Sequence, residues 1–268
     1  MEKESAWNNA AKGCSQIAYM TVKYGIDSLE AVAVSPGDKM LDVGSGPGHL
    51  AVYAASEKGA IVDAIDFSSE SIAILQRNLS SNPVAVTGHV MDGQHLEFPD
   101  GQFDVVSSCF GVFLFPDYMK GLSEMFRVTK PSGRVTVVAW AEMRRGAMQT
   151  WLKVFERHFP EVLPLPLPPG VAKMNNMEGM SEVLTVSGFE NVEVKEVVHR
   201  VEIPDAHAFA EVGMQNPVMC TVKDRLAPER VSELVPRFAE LVESEYKQGN
   251  TISFDAVGVI GCGVKPAM

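Results

Sequence analysis

The stretch that most constrains the fold runs from Met40 to Leu50 and reads Met-Leu-Asp-Val-Gly-Ser-Gly-Pro-Gly-His-Leu. It predicts a short apolar strand, a glycine-rich turn and the start of a helix. Gly44, Gly46 and Gly48 stand at alternate positions, where the absence of a Cβ permits unusual backbone angles and a close approach of a ligand. The following helix directs free N–H groups and its positive dipole end toward the same space. Such a turn is typical of nucleotide sites in doubly wound α/β folds.

The spacing of these glycines distinguishes between two kinds of site. A dinucleotide-binding turn has the pattern G-x-G-x-x-G, whereas this turn reads G-x-G-x-G and follows Asp42. A second predicted strand, 61–66, ends on Asp66, which lies eighteen residues beyond Gly48. A third predicted strand, 84–91, leads to Asp92. The order and spacing of these elements support the assignment more strongly than any one of them, because a single aspartate at a strand end often caps a helix or lies in a solvated turn.

Over about residues 38–141 the chain resembles the cofactor-binding half of the class I S-adenosylmethionine (SAM) methyltransferases. Two downstream stretches, 96–104 and 124–133, are most similar to the branch that contains the ubiquinone and menaquinone C-methyltransferases and many small-molecule methyltransferases. The resemblance implies SAM as the cofactor and transfer of its methyl group to a small acceptor. It also implies a Rossmann-like methyltransferase fold.

The resemblance implies a role for each motif. Asp42 would help to fix the loop and, through water, the ammonium of the ligand. Asp66 would accept hydrogen bonds from both ribose hydroxyls, and Asp92 would accept one from the adenine amino group. Phe67 and Met91 would sandwich the adenine ring. The cofactor-binding residues expected on this basis are Asp42, Gly44, Ser45, Gly46, Gly48, Asp66, Phe67, Met91, Asp92, Gly93 and Cys109.

The acceptor is less well defined by the sequence. The segment 107–115, after the fourth predicted strand, is apolar and aromatic and lacks an N-P-P-Y type motif. Phe110, Phe113 and Trp140 are therefore candidates for the wall of a roofed pocket that takes a small, largely apolar or aromatic metabolite. The alternative, that these rings only fill the core between a cap and the sheet, stays open.

No residue stands out as a general base. Transfer of a methyl group depends chiefly on alignment of the two reacting atoms, and a base is needed only when the nucleophile arrives protonated. The catalytic residue is therefore left unassigned, with Tyr19, Tyr118 and His158 as candidates.

The alternation of strands and helices predicts one α/β domain over 1–268, with a doubly wound, mostly parallel seven-stranded sheet and a helical cap. Residues 1–35 would form a helical layer or lid with a break at Gly25, and 36–141 the SAM-binding core. The remaining 142–268 would form the substrate-side half, with the helical cap at 205–247. The strands expected after the third are 103–110, 134–140, 192–203 and 252–264.

Composition restricts the partners. Lys and Arg number 23 against 34 Asp and Glu, and this net charge of −11 argues against a nucleic-acid partner. The four cysteines are scattered without a C-x-x-C pair, so no metal site is expected. The charged N-terminus is not expected to act as a signal peptide, and no apolar run approaches the ~18 residues of a membrane helix. We therefore expect a cytoplasmic protein without a membrane span, and leave its oligomeric state open.

Two other functions compete with a small-molecule methyltransferase. One is a nucleotide-dependent oxidoreductase on a Rossmann fold, against which the glycine spacing and the position of Asp92 both argue. The other is a catalytically silent SAM-binding protein, against which the intact motif from Asp42 through Asp92 argues.

Overall fold

The computed structural model describes residues 2–141 and 147–267 of the chain. Its strands are β1 (Lys39–Val43), β2 (Ile61–Asp66), β3 (Val86–Val90), β4 (Phe103–Cys109), β5 (Thr129–Trp140), β6 (Glu190–Ile203), β7 (Lys247–Gln248) and β8 (Thr251–Val264). Its helices are α1 (Glu2–Ala31), α2 (His49–Lys58), α3 (Ser69–Ser81), α4 (Tyr118–Val128), α5 (Ala147–His158), α6 (Pro169–Lys173), α7 (Met177–Val186), α8 (Ala206–Gly213), α9 (Pro217–Asp224) and α10 (Pro228–Tyr246). Short 3-10 turns lie at Val112–Leu114 and Pro160–Val162.

A single mixed sheet forms the centre of the structure, in the order β3-β2-β1-β4-β5-β8-β6, with β7 paired to β8 off this path. β1 to β5 are all parallel to their neighbours. β8 is antiparallel to both β5 and β6. The predicted doubly wound, mostly parallel sheet is confirmed, and the two-residue β7 is an addition to the seven strands expected.

Local sequence explains where the elements begin and end. β1 is a run of buried residues from Met40 to Val43, as expected for a parallel strand covered on both faces. Ser68 accepts a hydrogen bond from the backbone N–H of Ser71 and so caps α3. Asp117 caps α4 in the same way, and Gly59 ends α2 in the left-handed conformation.

The β6–β8 pair extends beyond the rest of the sheet. β8 pairs with β5 only through 258–264, whereas it pairs with β6 over 252–264. Because β6 runs in the same direction as β5, residues 198–203 and 251–257 project past the carboxyl ends of the parallel strands; we call them the β-arm. Helices α5, α8, α9 and α10 pack around the β-arm in a core that includes Trp151, Phe155, Phe159, Val201, Ile203, Phe238 and Phe254.

Two expectations about local structure are wrong. α1 continues without a break through Gly25, because that glycine lets the helix lie close to α2; a Cβ there would come within 2.8 Å of Leu50 Cδ1. β5 begins at Thr129 rather than Arg134, and a register shift against β4 absorbs the tight turn, in which Ser132 has φ 62°. The expected boundary between the two halves, at 141/142, adjoins residues 142–146, which lie outside the described residues.

The long helix α1 connects the sheet to the β-arm. Its Tyr24 is fully buried and donates a hydrogen bond of 2.7 Å to the backbone oxygen of Ala256 in the β-arm. Gly258 makes this contact possible, since a Cβ there would lie 2.7 Å from the tyrosine ring. A second link is the 2.6 Å contact between His199 Nε2 and Asp27 Oδ2. The second half of α1 is thus fixed between the sheet and the β-arm.

Membrane-spanning helices and metal sites can be assessed only in the described part of the chain. Within it, no helix is long and apolar enough to cross a membrane. Nor do its His, Cys, Asp and Glu side chains form a group of three or more that is suited to a metal ion. All four cysteines are free thiols.

Candidate functional site at the carboxyl edge of the sheet

The turn between β1 and α2 is held open by left-handed glycines. Gly44, Gly46 and Gly48 have φ of 69°, 54° and 78°, a region that costs other residues energy. The Ser45 N–H donates to Ile65 O at 2.9 Å, which ties the turn to β2. The loop therefore has a fixed shape, with its backbone exposed toward the carboxyl edge.

These three glycines serve different purposes. A Cβ on Gly48 would lie 2.5 Å from Leu75 Cδ1, and one on Gly44 would lie 3.1 Å from Gly111 Cα. Both glycines therefore allow close packing of the protein against itself. A Cβ on Gly46 would meet no heavy atom within 4 Å, so this residue borders open space.

Asp66 holds the loop from the end of β2. Its Oδ2 accepts from the backbone N–H of Gly46 at 2.7 Å, and its Oδ1 accepts from the N–H of Ser68 at 2.8 Å. Burial raises the pKa of Asp66, and the two N–H donors partly oppose that rise. Each carboxylate oxygen keeps a further lone pair for a ligand.

Asp42 is buried without a partner. It is 1% exposed, and within the described part of the chain neither of its oxygens has a hydrogen-bond donor. Ser107 lies beside it on β4, and its Oγ is also unpartnered there. Burial, followed by the charge of Asp66, raises the pKa of Asp42 to about 7. Because buried polar groups are normally paired, these atoms fit a ligand that brings a cationic group or a hydrogen-bond donor.

The end of β3 completes the edge next to Asp66. The Met91 N–H donates to Asp66 O at 3.0 Å, so the two strand ends lie side by side. The Asp92 carboxylate accepts from the backbone N–H of Gln94 at 2.9 Å and from its side chain at 3.0 Å. Phe67 is 41% exposed, which leaves its ring accessible to a ligand. Of the expected cofactor residues, the described contacts bring Ser45, Gly46, Asp66 and Met91 together directly.

Gly93 and Cys109 have packing contacts. A Cβ on Gly93 would lie 2.6 Å from the Phe115 ring, so this glycine allows the loop after β3 to close on that ring. Cys109 lies beneath α1, with its Sγ 3.9 Å from Thr21 O, and burial raises the pKa of its thiol. Neither contact tests the ligand role expected for these two residues.

Serines on β4 are site residues that the sequence did not reveal. Ser108 Oγ donates to Val43 O at 2.8 Å and accepts from the N–H of Val112 at 2.9 Å, which joins the ends of β1 and β4. In the sequence, Ser107 and Ser108 are marked only as two adjacent hydroxyl residues near the end of a strand.

The expected acceptor-pocket aromatics lie in two places. Phe110 and Trp140 are stacked with ring centroids 4.1 Å apart, and Tyr24 meets both edge-on. Phe110 has a φ of 57°, an uncommon conformation for an aromatic residue. Phe113 is buried beneath α6, where a Cβ on Gly170 would lie 2.5 Å from Phe113 O. The contacts of Phe113 thus match core packing, whereas the stacked pair is only partly buried.

The three candidate bases are not brought together. Tyr19 is 45% exposed and borders a shallow depression of about 320 Å³ that Lys23 and Arg200 also line. His158 is exposed at the end of α5, and its carbonyl accepts a hydrogen bond from Arg230. Tyr118 begins α4 and packs against the core on the opposite face of the sheet from Asp42. A second depression, of about 340 Å³, lies along the β-arm, and neither depression is lined by the glycine loop.

Comparison with known proteins gives a consistent family. A family model described as a methyltransferase domain matches residues 40–133. The demethylmenaquinone methyltransferase of Thermus thermophilus is 35% identical over 127 residues, which cover 47% of this chain and 56% of that protein. This chain thus spans a little over half the length of the Thermus relative. The demethylmenaquinone methyltransferase of Lysinibacillus sphaericus is 30% identical over 167 residues, covering 60% of this chain and 69% of that protein.

The chain belongs to the class I S-adenosylmethionine-dependent methyltransferases. Its branch is that of the ubiquinone and menaquinone methyltransferases, as the sequence resemblance implies. A phosphoethanolamine N-methyltransferase 2 of Haemonchus contortus, solved in complex with S-adenosyl-L-methionine, superposes with a TM-score of 0.56 at 21% identity. The superposition covers 91% of this chain and 52% of that one. This structural likeness confirms the methyltransferase fold.

The glycines of this methyltransferase loop give a first prediction. Gly48→Ala should lower the free energy of unfolding by roughly 2 kcal/mol or more, from left-handed strain and the collision with Leu75. Gly46→Ala should lose only about 1 kcal/mol, because it adds strain without a collision. Urea unfolding of both variants measures the difference. Equal losses would contradict the separation of a packing glycine from a glycine at open space.

A second prediction concerns the raised pKa of Asp42. Because the folded pKa lies above the ordinary value of 3.8, the folded state loses stability as the pH rises from about 4 toward 7. Asp42→Asn removes that loss, so the ligand-free variant should gain stability relative to wild type across this window, on the order of 4 kcal/mol.

Urea unfolding at a series of pH values measures this gain, with Ser107→Ala as the control. That variant changes a neighbouring buried polar group that does not titrate in this range, so its difference from wild type should be constant with pH. If the difference in free energy of unfolding between Asp42→Asn and wild type were also constant with pH, Asp42 would be ionised in the folded protein across this pH range.

Proposed function

We propose that this chain is a methyltransferase that binds SAM at the carboxyl edge of the sheet and transfers its methyl group to a small, largely apolar or aromatic acceptor. The observation that carries the proposal is the buried carboxylate of Asp42, unpartnered within the described residues, beside a left-handed glycine loop. SAM supplies a methyl group on a positively charged sulfur when it is bound.

The residues at the edge fit the chemistry of each part of SAM. Asp42 provides a negative charge for the ligand ammonium, directly or through water, and this contact would restore ionisation at a site that burial disfavours. Asp66 retains lone pairs for the ribose hydroxyls while it holds the loop. Phe67, whose ring is exposed, and Met91 would be the apolar partners of the flat adenine ring, and Asp92 would accept a hydrogen bond from its amino group.

Alignment is the main task of the protein in this reaction. The glycine loop and Asp66 would fix the position of the SAM sulfur and its methyl group. The attacking atom of the acceptor must then be held at near-contact distance from that methyl group, in line with the sulfur–carbon bond. Charge on the sulfur disappears as the methyl group leaves, so an apolar surrounding does not oppose the step. No described side chain is assigned as a general base. A base is needed only if the attacking atom of the acceptor carries a proton that must be removed.

The stacked pair of Phe110 and Trp140 supports an aromatic acceptor. Two rings already held by Tyr24 offer a flat, rigid, apolar surface at the carboxyl ends of β4 and β5. The relatives named above are demethylmenaquinone methyltransferases, which makes a reduced naphthoquinone the first acceptor to test.

The competing oxidoreductase is not supported. A dinucleotide fold of the 3-2-1-4-5-6 order lacks a strand such as β8, which enters antiparallel between β5 and β6. A silent SAM-binding protein would share the cofactor site, so turnover distinguishes it from the proposed enzyme.

Our third prediction tests the ribose contact. Wild type should bind S-adenosylhomocysteine about 10- to 100-fold more tightly than an analogue without the ribose 2′-hydroxyl, because a hydrogen bond to a carboxylate contributes about 1.5–3 kcal/mol. Asp66→Asn should lose most of that discrimination in calorimetry.

Asp63→Asn is the matched control, since Asp63 lies on the same strand but pairs with His89 at 2.7 Å. It should discriminate like wild type. If Asp66→Asn still rejects the analogue as strongly as wild type does, Asp66 serves only to hold the loop.

The fourth prediction tests the acceptor surface. Trp140→Ala should reduce methyl transfer to a demethylated naphthoquinol at least tenfold while SAM binds within about threefold of wild type, because the ring stacks on Phe110 and most of the expected cofactor residues follow β1, β2 and β3. Transfer of a labelled methyl group measures the first quantity and calorimetry the second. Phe113→Leu, at a ring buried in the core, should keep wild-type transfer if it folds. Parallel losses of transfer and SAM binding in Trp140→Ala would favour a purely structural role for the stack.

A further inference from the structure

The first turns of α1 contact the start of α3, which follows β2 at the carboxyl edge of the sheet. Asn8 Oδ1 accepts from Ser68 Oγ at 2.7 Å and from the backbone N–H of Glu70 at 3.3 Å. Asn8 Nδ2 lies 3.4 Å from Ser69 Oγ and donates to it. A side chain from sixty residues away thus shares in capping α3.

Ser68 connects this contact to the loop. It is 1% exposed, and its Oγ accepts from the N–H of Ser71 at 3.1 Å as the cap of α3. Its own N–H donates to Asp66 Oδ1, and Asp66 Oδ2 accepts from Gly46. A continuous series of hydrogen bonds therefore runs from Asn8 through Ser68 and Asp66 to the glycine loop.

Beyond Asn8, α1 continues across the site. Cys14 lies close enough for the charge of Asp66, after burial, to raise the pKa of its thiol to about 11. On the other flank a Cβ on Gly13 would lie 2.9 Å from Gln215 Oε1, in the turn between α8 and α9. The first half of α1 thus bridges α3 and the helices beside the β-arm, with Asp66 beneath it.

We propose that Asn8 is a positioning residue that latches α1 over the cofactor, so that its hydrogen bonds to Ser68 and Glu70 set the orientation of Asp66 and limit escape of the bound ligand. This inference rests on the proposed function, since it assigns a role at the same site. A ligand between the glycine loop and α1 leaves only when the start of the helix moves away from α3. The bonds of Asn8 must break for that motion.

Asn9 offers a matched control. It is the same residue type on the same turn of α1, and it is exposed. We expect Asn8→Ala to release S-adenosylhomocysteine roughly tenfold faster than wild type, since the bonds lost at Asn8 correspond to about that factor. Asn9→Ala should release it at the wild-type rate. Rapid-mixing displacement with the full chain measures dissociation, and the association rate of Asn8→Ala should rise as well, because entry past the same helix also requires these bonds to break.

A conservative variant separates latching from general destabilisation. Asn8→Asp keeps the acceptor oxygen that faces Ser68 and the start of α3, so its dissociation rate should return to within about threefold of wild type. Faster release in both Asn8 variants would overturn the proposal, because the side-chain oxygen that accepts hydrogen bonds from Ser68 and Glu70 would then not control release. Wild-type release from Asn8→Ala would also overturn it, while leaving the cofactor site intact. Failure of wild type itself to bind S-adenosylhomocysteine would overturn the proposed function and the latch together.

Discussion

The contact on which the site depends is the pair of hydrogen bonds that Asp66 accepts from Gly46 and Ser68. One carboxylate joins the first glycine-rich turn to the start of α3, so the ends of β1 and β2 keep a fixed separation. The cost is a charge held in a poorly solvated place, which also disfavours ionisation of neighbouring Asp42. The protein therefore carries two acidic groups whose mutual repulsion a cationic ligand would relieve. Affinity for such a ligand is built into an arrangement that is electrostatically unfavourable without it.

A second dependence runs through α1. Its second half rests on the sheet, where Tyr24 is bonded to the β-arm, and its first half crosses the carboxyl edge to reach Ser68. Because one rigid helix makes both contacts, the position of the β-arm and the closure over Asp66 are mechanically connected. The aromatic surface of Phe110 and Trp140 touches the same Tyr24, so the proposed acceptor and cofactor regions share one support.

Much of this was predictable because its determinants are local. The strand–glycine turn–helix order, the cap at Ser68 and the carboxylates at strand ends all follow from short-range patterns, and the sheet confirmed their order. The break expected at Gly25 and the start expected for β5 at Arg134 were wrong for a common reason. Each depends on packing against a distant partner, Leu50 for Gly25 and β4 for the start of β5, which the local sequence does not show. The bond from Asn8 to Ser68 spans sixty residues, and no periodicity in α1 marks it.

Because the β-arm extends past the parallel strands, the two halves of β8 have different partners. Residues 258–264 of β8 pair with β5 of the parallel sheet. Residues 252–257 pair with β6 and pack against the cap helices. Substitutions in the outer segment can therefore change the packing of the cap helices without disturbing the strand register that places Asp42 and Asp66. The β6–β8 pair thus has an inner part that belongs to the central sheet and an outer part that packs with the cap helices. A chimera joined near Gly258 would carry a foreign cap on an unchanged platform, provided that the new arm still offers a backbone oxygen to Tyr24 and a partner to Asp27.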